Sequence, residues 1–487
     1  MRSCSAVAVP SVEKEFEGLE VGDARLNRRA CAVVAKLSAA PDWSFPRALG
    51  TVADREAFYR LLANPRVSYG RLVASHAQQT VERMSAAGER VLVIHDTTEM
   101  AFSSTDDSRH GLGHARSASS KQSFFAHLSL AVSVAGQPLG TLGMTCWARQ
   151  QLRKGRRKVS GGELAKDENK ESARWALQVA EVERAVGGRA PLLHVMDREA
   201  DAYPLLSMMV ERGQHFVIRV ARDRLVFELE DEEGPADEPL PLSHALVDFP
   251  TALIREVPLR RRRATTLARS KQLKPARSGR MAKLAISAGR LAFRRPRYWD
   301  DALPPHLDLN VVQVREVDTP DGEDPVSWVL VTTEPISSPT ELEAIVDHYR
   351  QRWLIEEFFK ALKTGCDFES RQLESFATLT NALGLLLPVA WQMLLLRWLS
   401  RANPTAPAET VLSRTQMTLL RSSGQKLPLS GATVLDALYA VAGLGGHIRN
   451  NGAPGWLTLS RGMQDLAMLE HGWTIATARN SSGSCDQ

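Results

Sequence analysis

The chain has 487 residues, 44% of them hydrophobic and 24% charged, a composition of ordinary globular proteins that excludes collagen-like, coiled-coil and disordered classes. At ~150 residues per domain the length allows about three domains. Sixty-one basic against 56 acidic side chains give a net charge of +5, a weak pointer to a polyanionic partner.

Residues 1–10 hold one arginine and only a short small-apolar run, so no secretion signal is expected. The longest apolar stretch, 382–396, is 15 residues and contains Pro388 and Gln392, short of the ~20 that a bilayer span needs. No membrane crossing is expected. Cys4, Cys31, Cys146, Cys366 and Cys485 are scattered, with no CxxC pair, which fits a reducing, cytoplasmic location.

In chain order, residues 12–86 read as short helices. After the cap Gly22-Asp23, Leu26, Ala30, Val33 and Leu37 recur at helical spacing while Arg25, Arg28, Arg29 and Lys36 fall on other faces. A second helix carries Arg55, Phe58, Tyr59 and Arg60, and a third covers about 68–84. Charge alone fits a nucleic-acid-binding module and an ordinary solvated helix pair equally well. Residues 91–95 then form a buried strand run ending at Asp96-Thr97-Thr98. Two further strands are predicted over 123–134 and 137–147, followed by a basic loop (Arg149, Arg153, Lys154, Arg156, Arg157, Lys158) and a helix over 168–186. A strand over 191–196 ends at Asp197, a helix starts at Ala200, and a fifth strand covers 215–220. Three strands in meander followed by two strand–helix units predict an α/β fold, a mixed sheet flanked by helices.

Between 221 and 333 the pattern is strand-like but interrupted, and predicts a β-rich inserted subdomain. Its 255–297 stretch holds fifteen Lys or Arg against one acid, Glu256. Residues 340–363 predict one long helix, 373–468 are mostly helical and apolar, and 480–487 form a small polar tail predicted to be disordered.

Asp96 and Asp197 each follow a buried strand, where side chains of an open α/β sheet reach the crevice. Such acids are also common turn residues, but two hard oxygen donors at neighbouring strand ends suit magnesium. The sharper pattern is Tyr349, Arg352, Glu356, Lys360 and Lys363. Steps of three and four residues place all five on one stripe of a continuous helix, with Leu354, Phe358 and Leu362 opposite. A solvated charged face would give a similar stripe. One carboxylate among cations also suits a metal ligand flanked by groups that hold a phosphodiester backbone. Glu357 is the register rival of Glu356, ~100° off the stripe's centre.

Asp96-Thr97-Thr98, Asp197-Arg198-Glu199-Ala200-Asp201 and Tyr349-x-x-Arg352-x-x-x-Glu356-x-x-x-Lys360-x-x-Lys363 together resemble the DDE transposases of the insertion-sequence-four family, transposon-five type. The last pattern matches that family's Tyr-Arg-Glu-Lys-Lys motif, and Lys363-Thr364-Gly365 matches its continuation. Asp23-x-Arg25-Leu26 and Ala57-Phe58-Tyr59-Arg60 resemble its amino-terminal end-binding module, and Lys170-Glu171-Ser172 the start of a later core helix.

The resemblance implies a helical DNA-end-binding domain at 1–70, a ribonuclease H-like catalytic core at 71–372 with its β-rich insertion at about 221–333, and a helical carboxyl-terminal domain at 373–487 that pairs subunits. It implies a catalytic and metal-binding triad of Asp96, Asp197 and Glu356 holding two Mg²⁺ ions, with Mn²⁺ able to substitute. Asp96 would bridge the ions, and Asp197 and Glu356 would each hold one. Tyr349, Arg352, Lys360, Lys363 and Arg198 would contact DNA, and Trp328 would stack a base flipped from a hairpin at the element end. The implied activity is cut-and-paste DNA transposition of an insertion sequence by a homodimer on double-stranded DNA. The alternatives are a stand-alone nuclease on the same core and a non-catalytic DNA-binding regulator. His95 and His127 read as core or supporting residues, and Gly111-Leu112-Gly113 as a loop.

Overall fold

The computed structural model describes residues 10, 12–103, 109–115, 121–149, 171–230, 234–236, 238–259, 261, 264–266, 273–274, 276–299 and 302–482. Arg153 to Lys158 of the basic loop, Lys170, the tail 483–487, and Arg260, Arg262, Arg263, Arg269 and Lys271 of the basic stretch lie outside the described residues.

Four helices open the chain: α1 (Ala24–Ala39), α2 (Phe45–Leu49), α3 (Val52–Leu62) and α4 (Tyr69–Ala87). Their starts are written locally. Asp23 accepts from the Arg25 amide at 2.8 Å and Thr51 from the Asp54 amide at 3.1 Å, satisfying donors that a helix start leaves open. α1 buries Ala30, Val33 and Leu37, the residues its spacing predicts.

These helices are not a detached head. Val33, Leu37, Phe58 and Leu61 share one buried cluster with Leu92 and Ile94 of the sheet and with Leu383 and Leu387 of a carboxyl-terminal helix. A polar lock reinforces the junction. His76 Nδ1 donates to Glu15 Oε2 at 2.6 Å, Arg83 reaches both Glu15 oxygens at 2.7 and 3.0 Å, and the Thr141 amide donates to His76 Nε2 at 3.0 Å. Glu15 and His76 are fully buried, and a buried carboxylate is tolerated only when so paired.

β1 (Val91–Ser103), β2 (Lys121–Ser133) and β3 (Pro138–Trp147) form the predicted meander. On the other side of β1, β4 (Leu192–Met196) and β5 (Phe216–Arg219) pair in parallel, with α5 (Glu171–Val186) and α6 (Tyr203–Glu211) preceding and following β4. The predicted insertion does not stand apart. β10 (Ser327–Thr332) pairs with β5, and β9 (His306–Val317) and β8 (Arg280–Arg294) extend the same sheet, while β6 (Leu225–Glu230) and β7 (Thr251–Leu259) share the far edge of β8. With two-residue strands at its margins this is one 13-stranded sheet. It is a mixed α/β architecture compatible with a ribonuclease H-like core.

The helix predicted over 340–363 is broken. α7 (Pro339–Gln351) opens on a Ser338/Glu341 capping box and stops where Arg352 bonds back to Tyr349 and Ile355 bonds back to Arg352, three residues apart rather than four. α8 (Trp353–Lys360) follows, and then a π-helical turn, Ala361–Gly365, closed by the Cys366 amide on the Ala361 carbonyl at 2.8 Å.

α9 (Phe376–Ala402) is long and apolar enough to cross a bilayer, but 94% of its most apolar window is buried inside the protein, which makes it the central core helix. α10 (Arg414–Ser422), α11 (Val434–Leu444) and α12 (Trp456–Ser482) complete the chain. The polar tail predicted from 480 thus begins inside a helix. A Cβ at Gly462 would lie 1.8 Å from the Val441 carbonyl oxygen, so glycine sets the approach of α12 to α11.

Candidate active site at the end of the parallel strands

Strand register brings the two aspartates together. His95 pairs with Met196, and Met196 with Ile218, so the next residues on β1, β4 and β5 form a row: Asp96, Asp197 and Arg219. Asp96 does not end its strand, as the sequence predicts, because β1 continues to Ser103 with Asp96 opposite Leu128 of β2. What ends is the parallel pairing, and the crevice opens beside the strand that runs on. Alternation along a strand fixes the face. Leu92, Ile94, Leu193 and Val195 pack with Ile345, Tyr349 and Ile355, so Asp96 and Asp197, two residues beyond Ile94 and Val195, project toward α7 and α8.

The break in the motif helix then matters. Arg352 sits at the break and places its Nη1 3.1 Å from Asp96 Oδ2 and 3.6 Å from Glu356 Oε1. The guanidinium therefore joins the aspartate row to the glutamate. Asp96 also accepts from the Thr97 amide at 2.7 Å, and Asp197 caps a short turn by accepting from the Glu199 amide at 2.8 Å. Asp96 is buried at 8% exposure, and Asp197 and Glu356 are half-buried.

Burial, reinforced by the Asp197 and Glu356 charges and opposed by Arg352, pushes the Asp96 pKa up to about 8. Burial alone would weaken the hold of Arg352 on its proton, but Asp96, Tyr349, Asp197 and Glu356 outweigh it and raise its pKa. The crevice concentrates negative charge around one internal cation.

The remaining motif residues divide. Tyr349 is buried, with its pKa raised by burial against the pull of Arg352 and Arg219, and its ring meets Trp328 edge-on at 5.4 Å. Trp328, half-buried on β10, lines a cleft of about 420 Å³ with Arg219, Arg255, Arg277 and Arg350. Lys360 is exposed, pairing with Glu357 at 2.9 Å. Lys363 is turned by the π segment onto β1, where its Nζ donates to the Glu99 carbonyl at 2.6 Å and lies 3.4 Å from Glu369. The stripe predicted for a continuous helix is therefore not one surface, because the turn at Arg352 and the wider π turn change the phase. Arg198 is exposed beside Asp197. Glu357 lies 3.8 Å from Arg397 of α9, away from the aspartates, which favours Glu356 over its rival. In the basic stretch, Arg255 pairs with Asp347, Arg280 with Glu316 and Glu323, and Arg290 with Asp308, so part of that charge is neutralised within the fold.

Two groups escape sequence reasoning. Arg219, the last residue of β5, occupies the third place in the row, a position that only the register of β5 on β4 reveals. The other is the hydrogen bonding among buried polar side chains on the reverse face, of which the sequence reading singles out His95 and His127 only as core or supporting residues. His95 and His127 are fully buried, and burial first, with His194 and His127 as neighbours, depresses the His95 pKa strongly; burial takes His127 to about 3.

Asp96 feels the charges of both Asp197 and Glu356, and the three carboxyls, with Asp96 ionised, form the hard-oxygen donor set that a divalent cation takes. Among the described residues they are not preassembled as a closed three-ligand cluster, because Arg352 lies between Asp96 and Glu356 as the resident cation. The donors fit such an ion, with Arg352 as the group it would replace.

Residues 10–67 match the family model of Transposase DNA-binding, and residues 166–391 match that of the Transposase DDE domain. The second range contains Asp197 and Glu356, whereas Asp96 lies between the two ranges and is joined to them by the register of β1 on β4. Domains of this kind typically use divalent metals. Together, the DNA-binding match over the opening helices and the DDE match over the crevice support a DNA transposase of the DDE kind.

Proposed function

We propose that this chain is a cut-and-paste transposase of an insertion sequence, of the insertion-sequence-four family and the transposon-five type. In this reading the opening helices bind element ends, and Asp96, Asp197 and Glu356 hold two Mg²⁺ ions. Bound divalent ions would supply an ionised oxygen nucleophile and neutralise the leaving oxygen. Arg352, released from Asp96 and Glu356, and the exposed Lys360 hold the phosphates flanking the scissile bond. Tyr349 supports Trp328 from its edge, and Trp328 offers its ring to a flipped base at a hairpin end. α12 presents Met468, Leu469, Trp473 and Ile475 to solvent, and in this reading they form the homodimer contact of the synaptic complex.

The observation that carries the reading is the in-register row of Asp96 and Asp197 facing Glu356 across Arg352. The test is incubation with Mg²⁺ and DNA carrying the element's own flanking repeats, with nicks, hairpins and joined products read on a denaturing gel. Asp96→Ala, Asp197→Ala and Glu356→Ala should each abolish cleavage while end binding persists. Robust cutting by any of the three sinks the triad. Cutting without joined products would favour the stand-alone nuclease, and binding without cutting the regulator.

A further inference from the structure

Behind the aspartate row, on the opposite face of the sheet, lies a chain of hydrogen-bonded side chains that no step of the proposed reaction uses. His95 immediately precedes Asp96, and His194 is three residues before Asp197, so strand alternation turns both rings away from the crevice toward α5. His95 Nε2 lies 2.9 Å from His194 Nδ1, Ser129 Oγ 3.0 Å from His95 Nδ1, and His194 Nε2 3.0 Å from Glu183 Oε1 on α5. His95, His194 and Ser129 have no solvent exposure, and Glu183 is the end of the chain that reaches the surface.

With both rings neutral, the carboxylate fixes every donor. Glu183 accepts, so His194 Nε2 donates. His194 Nδ1 then accepts from His95 Nε2, and His95 Nδ1 accepts from the Ser129 hydroxyl. The chain crosses three strands in the order β2, β1, β4. A second cross-link, Thr97 Oγ1 to His127 Nδ1 at 2.9 Å, joins β1 to β2 one residue beyond Asp96. Two imidazoles in a dry sheet interior are costly unless their partners are in place. A slip of β1 against β4 would break the His95–His194 bond and misalign Asp96 and Asp197 together.

We propose that His95, His194 and Glu183 are positioning residues that lock β1 to β4 in the register that sets Asp96 beside Asp197 for a divalent cation. The inference rests on the reading of those carboxylates as a metal site. Groups hydrogen-bonded directly to metal ligands change affinity 10–100-fold when altered; His95, His194 and Glu183 act through the backbone of β1 and β4 instead, which puts their expected effect at the low end of that range.

The test is Mn²⁺ titration of the full chain by calorimetry, without DNA, alongside thermal melting. Wild type should bind Mn²⁺ and Asp96→Asn should not. If wild type binds none, the metal-site reading fails and this inference with it. Given binding, Glu183→Leu, which leaves the buried His194 Nε2 without its acceptor, should lower the melting temperature and weaken Mn²⁺ binding about tenfold at a temperature where the variant is folded, while Glu183→Gln, whose amide oxygen accepts the same His194 proton, should restore both. The double variant His95→Leu/His194→Leu removes both partners of the central bond and should show a larger loss. Mn²⁺ affinity within twofold of wild type in folded Glu183→Leu overturns the lock while leaving the metal site standing, whether or not the double variant folds.

Discussion

Asp96 carries the most perturbed acid of the crevice, and its ionisation has a sign that can be checked. Burial and the neighbouring Asp197 charge push its pKa up to about 8 in the folded chain, against the ordinary 3.8. The folded state therefore binds the proton more tightly than the unfolded state. The resulting stability is fully present below pH 3.8 and is lost as pH rises through about 8. Asparagine mimics the protonated acid at every pH. In metal-free protein, the melting temperature of Asp96→Asn relative to wild type should therefore climb from pH 5 to about pH 8 and level off above it, and added Mn²⁺ should stabilise wild type alone. A melting difference independent of pH would refute the buried, repelled carboxylate. Trp328, edge-on to Tyr349 at 5.4 Å, has a separate expected phenotype. Trp328→Ala should leave the first nick intact and reduce hairpin product on the denaturing gel, and an unchanged hairpin yield would remove it from the site.

At the scale of the element, the interrupted helix from Pro339 to Gly365 separates two lysines that the sequence places on one stripe. Lys360 faces solvent, whereas Lys363 is bonded to the Glu99 carbonyl and lies near Glu369. Each phosphate contact contributes about 0.9 to the slope of log K against log salt. Lys360→Ala should thus lower the magnitude of that slope for end binding by about one, and Lys363→Ala should leave it unchanged. Equal effects would mean that the π segment releases Lys363 on DNA. A steric element-scale test lies in the carboxyl-terminal domain. Gly462→Ala puts a Cβ against a backbone carbonyl that cannot swing aside, and should cost about 1–3 kcal/mol in urea unfolding.

The same helix shows what was legible beforehand. The motif spacing grouped Tyr349, Arg352 and Glu356, and the structure keeps them together, with Arg352 between Asp96 and Glu356 and its amide on the Tyr349 carbonyl, because those residues stay close in phase across one tight turn. It misplaced Lys363, because a π turn leaves no signature in residue spacing. The strands of the meander and the α1 face were readable from period alone. The joining of the insertion to the main sheet was not, since β10 meets β5 only through long-range pairing. Asp96 was singled out from the run 91–95, yet its neighbour Arg219 was not, because adjacency in a row is a property of register between strands.

For the whole molecule, the question is whether the opening helices fold as a separate end-binding head or as part of the core. Glu15 answers through its partners: His76 and Arg83 on α4, which in turn bond the Thr141 amide and the Leu139 carbonyl of β3. On the far side, the buried Arg371, just past the π turn, donates to the carbonyls of Pro41 and Trp43 in the loop before α2. Deleting residues 1–70 would leave His76, Arg83 and Arg371 without these acceptors and uncover the apolar face of α9, so the remaining core should not fold on its own. Glu15→Ala should cost about 3 kcal/mol at neutral pH, the usual loss when one partner of a buried ion pair is removed. Burial raises the Glu15 pKa, but His76 and Arg83 outweigh it and hold it below 4.5. Its contribution is therefore present above pH 4.5 and lost as pH falls through the folded pKa. Urea unfolding should show wild type and Glu15→Ala far apart at pH 7 and converging toward pH 3. Tryptophan fluorescence and far-ultraviolet dichroism should report a single shared transition. Two separable transitions, or a stable core lacking residues 1–70, would show instead that end binding and catalysis sit on independent folding units.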